Sequence, residues 1–473
     1  HPEDVVFQIS CVFGRQGEPI ERWRKHLLTL GNPDLTVLQD DIVLQAFDKE
    51  AKMLMAFVRL IKKYNPQILL GYNIFKFDNK YLLDRARFLM VSDEFVRQGC
   101  TEGKCAEISI QWSSSAFSNQ EMFFLDTLGR ISVDLLVLVQ RDYKLENYKL
   151  DTVASHFLQR TKDPLTHWDI FAGYEKSRGK PASKELAVIG NYCVKDSVLT
   201  LELFEHLKMW YSLVSMSKIC RIPIAHLFQY GQQLKVFSQV YAHCVDHQIV
   251  VENNSVRIDE NEEYTGAHVL EAEKGLYENV VSFDFASLYP SIIISHNIDY
   301  STLVHDEVED DECNVIEWEE HVNCACETSK ATGKNSVCSK HKYKWIKEPR
   351  GVLPTIIQNL LDARKSVRQQ MKSLDSNSSE YQLLETLQLS YKVSANSMYG
   401  ALSTKRGYLP FMCAGMCITA VGRKSILKAC NVIESQYDGR VIYGDTDSNY
   451  VIFRNVPVDD LEAWCLKVAA GVT

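Results

Sequence analysis

At 473 residues the chain is too long for one hydrophobic core and is expected to divide into roughly two to four domains. Hydrophobic residues make up 46% and charged residues 24%, an ordinary globular balance, and the longest apolar runs, such as Ile292-Ile293-Ile294, fall far short of a membrane span. A net charge of −9 argues against nucleic-acid binding by the chain as a whole, but ten Lys and Arg between 351 and 430 face only Asp362, Asp375, Glu380 and Glu385. Fourteen cysteines without an extracellular disulfide spacing read as reduced thiols of an intracellular protein, and no signal peptide opens the chain. It begins at His1 and stops at Thr473 inside a helical pattern, so both ends read as cut.

Residues 1 to about 210 alternate β-prone and helical runs, an α/β pattern. Val5–Val12 reads as a strand, Ala51–Tyr64 as an amphipathic helix, and Gln67–Tyr72 as a short buried strand built on Ile68-Leu69-Leu70. Asp78 follows at the junction with a helix over Tyr81–Leu89, where α/β domains usually bind ligands; read alone, a helix N-cap is its simpler role. A helix over Ala187–Leu207 places Tyr192 and Asp196 on one face, which a surface Tyr–Asp pair also explains.

Residues 217–275 read as a connector containing Gly231-Gln232-Gln233-Leu234-Lys235 and Tyr264-Thr265-Gly266-Ala267. Val280–Phe285 alternates as a half-buried strand with Asp284 on one face. Ala286–Ser291 then reads as a tight Pro-containing turn that leaves the carboxylate at a sheet edge. Residues 299–354 interrupt the pattern and carry Cys313, Cys324, Cys326, Cys338 and His341. Cys324, Cys326, Cys338 and His341 could make a closed Zn2+ site, although the first pair is closer than usual zinc spacing; a surface insertion with reduced thiols is the alternative.

Two helices are expected over 355–400, broken at Asp375–Ser379. Leu360, Val367, Met371 and Leu374 mark the buried stripe of the first, and Leu383, Leu387 and Tyr391 that of the second. Arg364 and Arg368 share a face of the first; Lys392, Asn396 and Tyr399 form a polar stripe on the second. Such a cationic pair suits a polyphosphate, or simply a solvated basic face. Finally, β-prone runs flank Tyr443-Gly444-Asp445-Thr446-Asp447-Ser448, a hairpin whose tip carries two carboxylates, with Gly444 permitting the sharp backbone. Two buried acids so close need a cation beside them, and a divalent metal is the natural candidate; alone, a polar turn explains them.

Together these stretches resemble family B DNA polymerases over nearly the whole chain. Asn73–Asp78 and Tyr192-Cys193-Val194-Lys195-Asp196 resemble the second and third 3′–5′ exonuclease motifs of that family. Asp284–Ser291, Lys392–Gly400 and Tyr443–Ser448 resemble its motifs A, B and C, in order and at similar separations. The resemblance implies an α/β and α+β multidomain fold: a partial ribonuclease H-like 3′–5′ exonuclease domain (1–215), a connector and first part of the palm (216–300), the Cys-containing insertion (301–350), helical fingers (351–400) and the second part of the palm (401–473).

It also implies template-directed DNA synthesis from a primer 3′-OH, with release of pyrophosphate. Asp284 and Asp447, supported by Asp445, would hold two Mg2+ ions, and Arg364, Arg368 and Lys392 would neutralise the triphosphate. Lys392 would also protonate the departing pyrophosphate; the family usually has Lys where Arg368 stands. Ser287, Leu288, Tyr289, Asn396 and Tyr399 would line the nucleotide, with Tyr289 as the gate against a ribose 2′-OH and Tyr399 beside the nascent base pair. Gly231–Lys235 and Tyr264–Ala267 resemble template-strand contacts. In the exonuclease site Asp78 and Asp196 would hold Mg2+ or Mn2+, and Tyr192 would orient the attacking water.

The family's first exonuclease motif would lie before His1 and its thumb after Thr473, so the chain is expected to degrade DNA poorly and to grip duplex weakly. Implied partners are primer–template DNA, deoxynucleoside triphosphates and a sliding clamp or processivity factor, with no membrane. Within the family, the cysteine-bearing insertion looks most like polymerases of large nucleocytoplasmic DNA viruses of the iridovirus type, which replicate in the host nucleus or at a cytoplasmic site. The alternatives are a cellular delta-type polymerase and a catalytically inactive polymerase-like scaffold.

Overall fold

In the computed structural model, which describes residues 4–112, 120–160, 165–251, 264–304, 308–320, 339–404 and 407–473, the chain forms two units. One is His1–Val214 with Pro223–Tyr230, the other Ser215–Ile222 with Gly231–Thr473.

In the first unit β1 (Gln8–Phe13) pairs antiparallel with β2 (Arg24–Leu30), which pairs in parallel with β3 (Ile42–Phe47). The strand expected from Val5 starts only at Gln8, because the Val6 N–H donates to the Glu50 carboxylate at 3.0 Å instead of to a neighbouring strand. Helix α1 (Glu50–Tyr64) buries Met53, Leu54, Ala56, Val58, Leu60 and Ile61, the stripe that its periodicity foretells. After β4 (Ile68–Gly71) come α2 (Asp78–Phe88), α3 (Ser92–Phe95), the antiparallel pair β5 (Ala106–Trp112) and β6 (Gln120–Asp126), and β7 (Ile131–Asp134), which returns to pair in parallel with β4. Helices α4 (Leu135–Asp142), α5 (Leu150–Leu158), α6 (His167–Ser177) and α7 (Lys184–His206) follow. Ala187, Val194 and Val198 of α7 pack on Trp23, Leu27, Leu38 and Ile42, so one long helix closes the back of the β1–β3 sheet. Next are α8 (Met209–Cys220), which contributes residues to both units, and the short α9 (His226–Gln229).

The second unit comprises α10 (Gln232–Asp246), β8 (Val281–Asp284), α11 (Leu288–Ser295), β9 (Leu303–Val304), β10 (Cys313–Glu320), β11 (Ser339–Ile346), α12 (Val352–Met371), α13 (Ser379–Leu402), α14 (Met412–Tyr437), β12 (Arg440–Asp445), β13 (Ser448–Ile452) and α15 (Leu461–Val472). Its strands form two antiparallel sheets, ordered β12-β13-β8 and β10-β11-β9. The main core gathers Val236 and Val240 of α10, Ile292 and Ile293 of α11, Leu353 and Ile357 of α12, Met398 of α13 and Ile418 of α14.

Several local expectations are corrected. Ala286–Ser291 is not a turn throughout: Pro290 lies in the first turn of α11, where a missing N–H breaks no helical hydrogen bond. The strands of residues 299–354 are not a detached surface insertion, since Ile316 and the fully buried Trp345 belong to the main core. Their opposite faces pair Glu317 with Lys342 and Glu319 with Lys340. Cys324, Cys326 and Cys338 lie outside the described residues; His341, the fourth proposed zinc ligand, faces Glu320 and stacks on Trp318.

Helix α12 ends at Met371, leaving Leu374 beyond it. On α13 the buried positions are Gln388, Ser390, Ser394, Ala395, Met398, Ala401 and Leu402, whereas Leu383, Leu387 and Tyr391 are half-buried. The reason is polar: Gln388 accepts from Arg364 Nε at 3.0 Å, and the Ser394 hydroxyl donates to Gln239 of α10 at 2.9 Å. These bonds let polar side chains take the helix–helix contacts.

Gly444 is also corrected. It lies within β12, and the residue with a left-handed backbone in the turn is Thr446, at φ 56°. A Cβ at Gly444 would lie 2.8 Å from both Asn449 Oδ1 and Leu270 Cδ1, so glycine is needed for close approach. Gly444→Ala is therefore expected to destabilise the chain by about 1–3 kcal/mol, read as a lower urea midpoint with an unchanged slope.

Candidate active sites

The β12–β13 hairpin closes through Thr446 and Asp447, with Asp445 opposite Ser448. Its outer side is pinned by residues 268–270: Leu270 N–H donates to Gly444 O at 2.9 Å, and Thr446 N–H to His268 O at 3.1 Å. On the inner side β13 pairs with β8, and the register sets Ser448 against Asp284. The Ser448 hydroxyl donates to Asp284 Oδ1 at 2.7 Å and stands 3.5 Å from Asp447 Oδ1. Phe285 N–H then donates to the Asp447 carbonyl at 2.9 Å, which ties the end of β8 to the hairpin tip.

Asp284 and Asp447 are thus neighbours, with Asp445 on the same tip. Burial pushes the Asp447 carboxyl above the usual carboxylate range, and the charges of Asp284 and Asp445 push it further. Among the described residues no ion pair neutralises any of the three. Converging carboxylates form an all-oxygen donor set suited to a hard divalent cation. Sequence reading did not assign Ser448 a role. Only the β8–β13 register shows that its hydroxyl spans the two acids.

Tyr289 of α11 packs against Tyr399 of α13, with ring centroids 4.4 Å apart and ring planes tilted by 44°. Burial raises the Tyr289 hydroxyl, and the Asp447 charge raises it further; the helix that carries Tyr289 begins four residues after Asp284. Ser287, just before α11, adopts a left-handed backbone (φ 57°), and the Leu288 side chain is buried in the core. Lys392 and Asn396 are exposed on α13, and Lys392 lies two helical turns, about 10 Å, before Tyr399. Arg364 is half-buried and held by Gln388, another residue that sequence reading missed, while Arg368 is exposed one turn on. The structure therefore joins the three acids with Tyr289 and Tyr399. The cations stand on the α12–α13 pair, with no direct contact to the acids among the described residues.

A second candidate site lies in the first unit. β1 and β4 are edge strands of separate sheets, and both line a cleft of about 1660 Å3. Asp78, Tyr192 and Asp196 line the same cleft. Asp78 is the first residue of α2, and no side chain caps that helix, so the N-cap reading does not hold. Solvent reaches Asp78 through the cleft, yet burial in its wall, reinforced by the Asp134 charge, pushes its carboxyl up to about 6. Asp134 itself is buried and accepts from the N–H groups of Asn73, Phe75 and Leu136 at 2.8–3.0 Å. It caps α4 and pins the loop leading to Asp78. Its position between a strand and an apolar helical run was the available sequence signal.

The raised Asp78 carboxyl gives a signed pH effect. Between about pH 4 and pH 6 the folded chain holds a proton that the unfolded chain has lost. Without divalent ions, stability from this group is fully present below pH 4 and declines as pH rises through about 6. Asp78→Asn is expected to flatten that part of the melting-temperature profile.

Comparisons with known proteins bear on the chain's family. DNA polymerase family B matches residues 222–473, and the family B exonuclease domain matches residues 1–153. DNA polymerase 120R of Invertebrate iridescent virus 3 is 40% identical across 100% of this chain and 46% of its own length. Putative DNA polymerase 060R of Frog virus 3 is 34% identical, covering 99% of the chain and 53% of the relative. The DNA polymerase delta catalytic subunit of Plasmodium falciparum is 34% identical, covering 95% and 40%. The chain thus spans about half the length of the curated relatives it matches. The family B DNA polymerase of the archaeon Pyrobaculum calidifontis shares the fold, with a TM-score of 0.66 at 23% identity over 98% of this chain and 55% of that one. The expected mixed α/β and α+β fold and the iridovirus resemblance both hold, and the chain belongs to the family B DNA polymerases.

Proposed function

We propose that this chain catalyses template-directed addition of deoxynucleotides to a primer 3′-OH, as part of a viral replicative polymerase that also proofreads. The observation that carries the reading is the pairing of Asp284 with Asp447 across β8 and the β12–β13 hairpin, both within reach of the Ser448 hydroxyl. Family B polymerases and their exonuclease domains generally use divalent metals, and Mg2+ fits the oxygen donors of Asp284, Asp445 and Asp447. When bound, such ions supply charge neutralisation and lower the pKa of the attacking hydroxyl.

The chain's own residues do the rest. Asp284 and Asp447 fix the charge at the strand ends, and Ser448 orients the Asp284 carboxylate. Lys392, Arg364 and Arg368 balance the triphosphate; Gln388 fixes the Arg364 fork, and Lys392 Nζ delivers a proton to the departing pyrophosphate. Asn396 and Ser287 add polar contacts, and the Tyr289–Tyr399 pair meets the sugar and the nascent base pair. In the first unit Asp78 and Asp196 would hold Mg2+ or Mn2+ for the 3′–5′ hydrolysis of the whole polymerase, and Tyr192 would aim the water. Primer–template DNA and deoxynucleoside triphosphates are the partners, with a sliding clamp or processivity factor beyond them, at a nuclear or cytoplasmic replication site of the host. No described helix is long and apolar enough to cross a membrane. The delta-type cellular alternative is less favoured, since an iridovirus relative is 40% identical and the Plasmodium delta subunit 34%.

Tyr289→Ala tests the sugar gate. Removing the ring opens space for a 2′-hydroxyl, so the preference for deoxy- over ribonucleotides is expected to fall at least about tenfold, as for loss of about 1.4 kcal/mol of discrimination. Single-nucleotide insertion kinetics would read it, and an unchanged preference would refute the gate.

A further inference from the structure

Helix α14 carries Gly415, Thr419, Gly422 and Arg423 at i, i+4, i+7 and i+8, a single face. That face seats one small group of residues. A Cβ at Gly415 would stand 3.2 Å from the Tyr264 hydroxyl, and one at Gly422 would stand 3.1 Å from the Tyr289 ring. Between them, the Thr419 hydroxyl meets the Thr265 carbonyl at 3.2 Å, and Arg423 Nη1 donates to the carbonyls of Thr265 and Gly266 at 2.5 and 2.8 Å. From the other side the buried Glu320, at the end of β10, accepts the Thr265 N–H. Its second oxygen lies 3.3 Å from His341 Nε2.

Both backbone polar groups of Thr265 are therefore held by charged side chains. The neighbouring Tyr264 hydroxyl faces Gly415 of α14, whose other neighbour is Ser403, bonded through its N–H to the Tyr399 carbonyl at the end of α13. Burial raises the Tyr399 hydroxyl and Tyr264 raises it further, and the Tyr399 ring lies 4.4 Å from that of Tyr289. Burying a carboxylate is costly unless it makes strong bonds, and Glu320 directs one of its bonds at a loop backbone. The chain of contacts leads from β10 and α14 to the two tyrosines beside the catalytic acids.

We propose that Arg423 and Glu320 are positioning residues for nucleotide selection: they clamp Thr265, which keeps Tyr264 on Tyr399 and so fixes Tyr289 against the incoming sugar. This rests on the reading above that Tyr289 and Tyr399 line the nucleotide. Neither Arg423 nor Glu320 needs to touch the substrate. Their effect travels through the Tyr264 side chain and the tilted Tyr399–Tyr289 ring contact.

Arg423→Gln and Glu320→Gln, made in this chain, test the clamp. Each is expected to raise KM for deoxynucleotides about tenfold with a smaller change in kcat, and to lower sugar discrimination by a similar factor, the scale of one charge-assisted hydrogen bond. Because both act on one segment, the double variant should lose little more than either single one. Arg423→Lys, which keeps a donor, should recover part of the loss. Variants that melt earlier yet keep the parental KM and discrimination would reduce the clamp to packing and overturn the proposal.

A second readout needs no catalysis. With 3-fluorotyrosine at position 399, the 19F resonance should shift in both variants, and an unmoved resonance in either overturns the clamp. If Tyr289→Ala leaves discrimination intact while the resonance shifts, the sugar-gate reading falls and the clamp stands.

Discussion

Asp284→Asn is expected to lower primer extension by about 1000-fold or more while leaving the fold intact. Asparagine fills the same space and its amide oxygen still accepts the Ser448 hydroxyl, so the β8–β13 register has no reason to change. What is lost is one full negative charge at the end of β8. In a site where catalysis is positioning plus charge neutralisation, removing one fixed group costs about 100- to 1000-fold, and a metal carboxylate belongs at the upper end. A second consequence has the opposite sign. Asp284 is the leading charge that raises the Asp447 carboxyl, so the neutral amide relaxes that carboxyl toward its ordinary range. The metal-free variant should melt no lower than the parent. Extension within tenfold of the parent would remove Asp284 from the chemistry; a collapsed melting curve would show that the residue serves the fold.

The largest expected loss of stability lies in the first unit. Arg85 of α2 donates through Nε at 2.8 Å and through Nη2 to the two oxygens of Glu50, the first residue of α1. Their side chains are only 3% and 6% exposed. Glu50 also accepts the Val6 N–H, so it joins α1, α2 and the approach to β1. Arg85→Met would leave a buried carboxylate without its cation, at a cost of about 3–5 kcal/mol. The double variant Arg85→Met, Glu50→Gln removes both charges and should recover much of that loss. Urea unfolding of the parent, the Arg85→Met and Glu50→Gln single variants and the double variant reads the cycle. A single variant within about 1 kcal/mol of the parent would show that water or a shifted proton compensates for the missing guanidinium.

The candidate sites were legible in the sequence where the signal is local. The hairpin was readable because β-prone runs flank a polar tip, and α1 because its apolar spacing fits one face of a helix. Tyr192 and Asp196 were readable as a pair because helical spacing alone places them together. What escaped depends on partners far along the chain. Ser448 meets Asp284 only through cross-strand register over 164 residues. Gln388 and Ser394 are buried because Arg364 and Gln239 satisfy them, which hydrophobic periodicity cannot register. Gly444 looked like a turn glycine, but its reason is Leu270 and Asn449 pressing on β12. Pro290 suggested a turn because proline ends helices from within, whereas here it occupies the first turn, where it is tolerated.

The central claim is that Asp284 and Asp447 form one cation site at the meeting of β8 and the hairpin. Mn2+ titration followed by electron paramagnetic resonance, comparing the parent with the Asp284→Asn, Asp447→Asn double variant, tests it most directly. The account predicts that the parent takes up Mn2+ that the folded variant leaves free in solution. Equal stoichiometry and affinity in the two chains would contradict it.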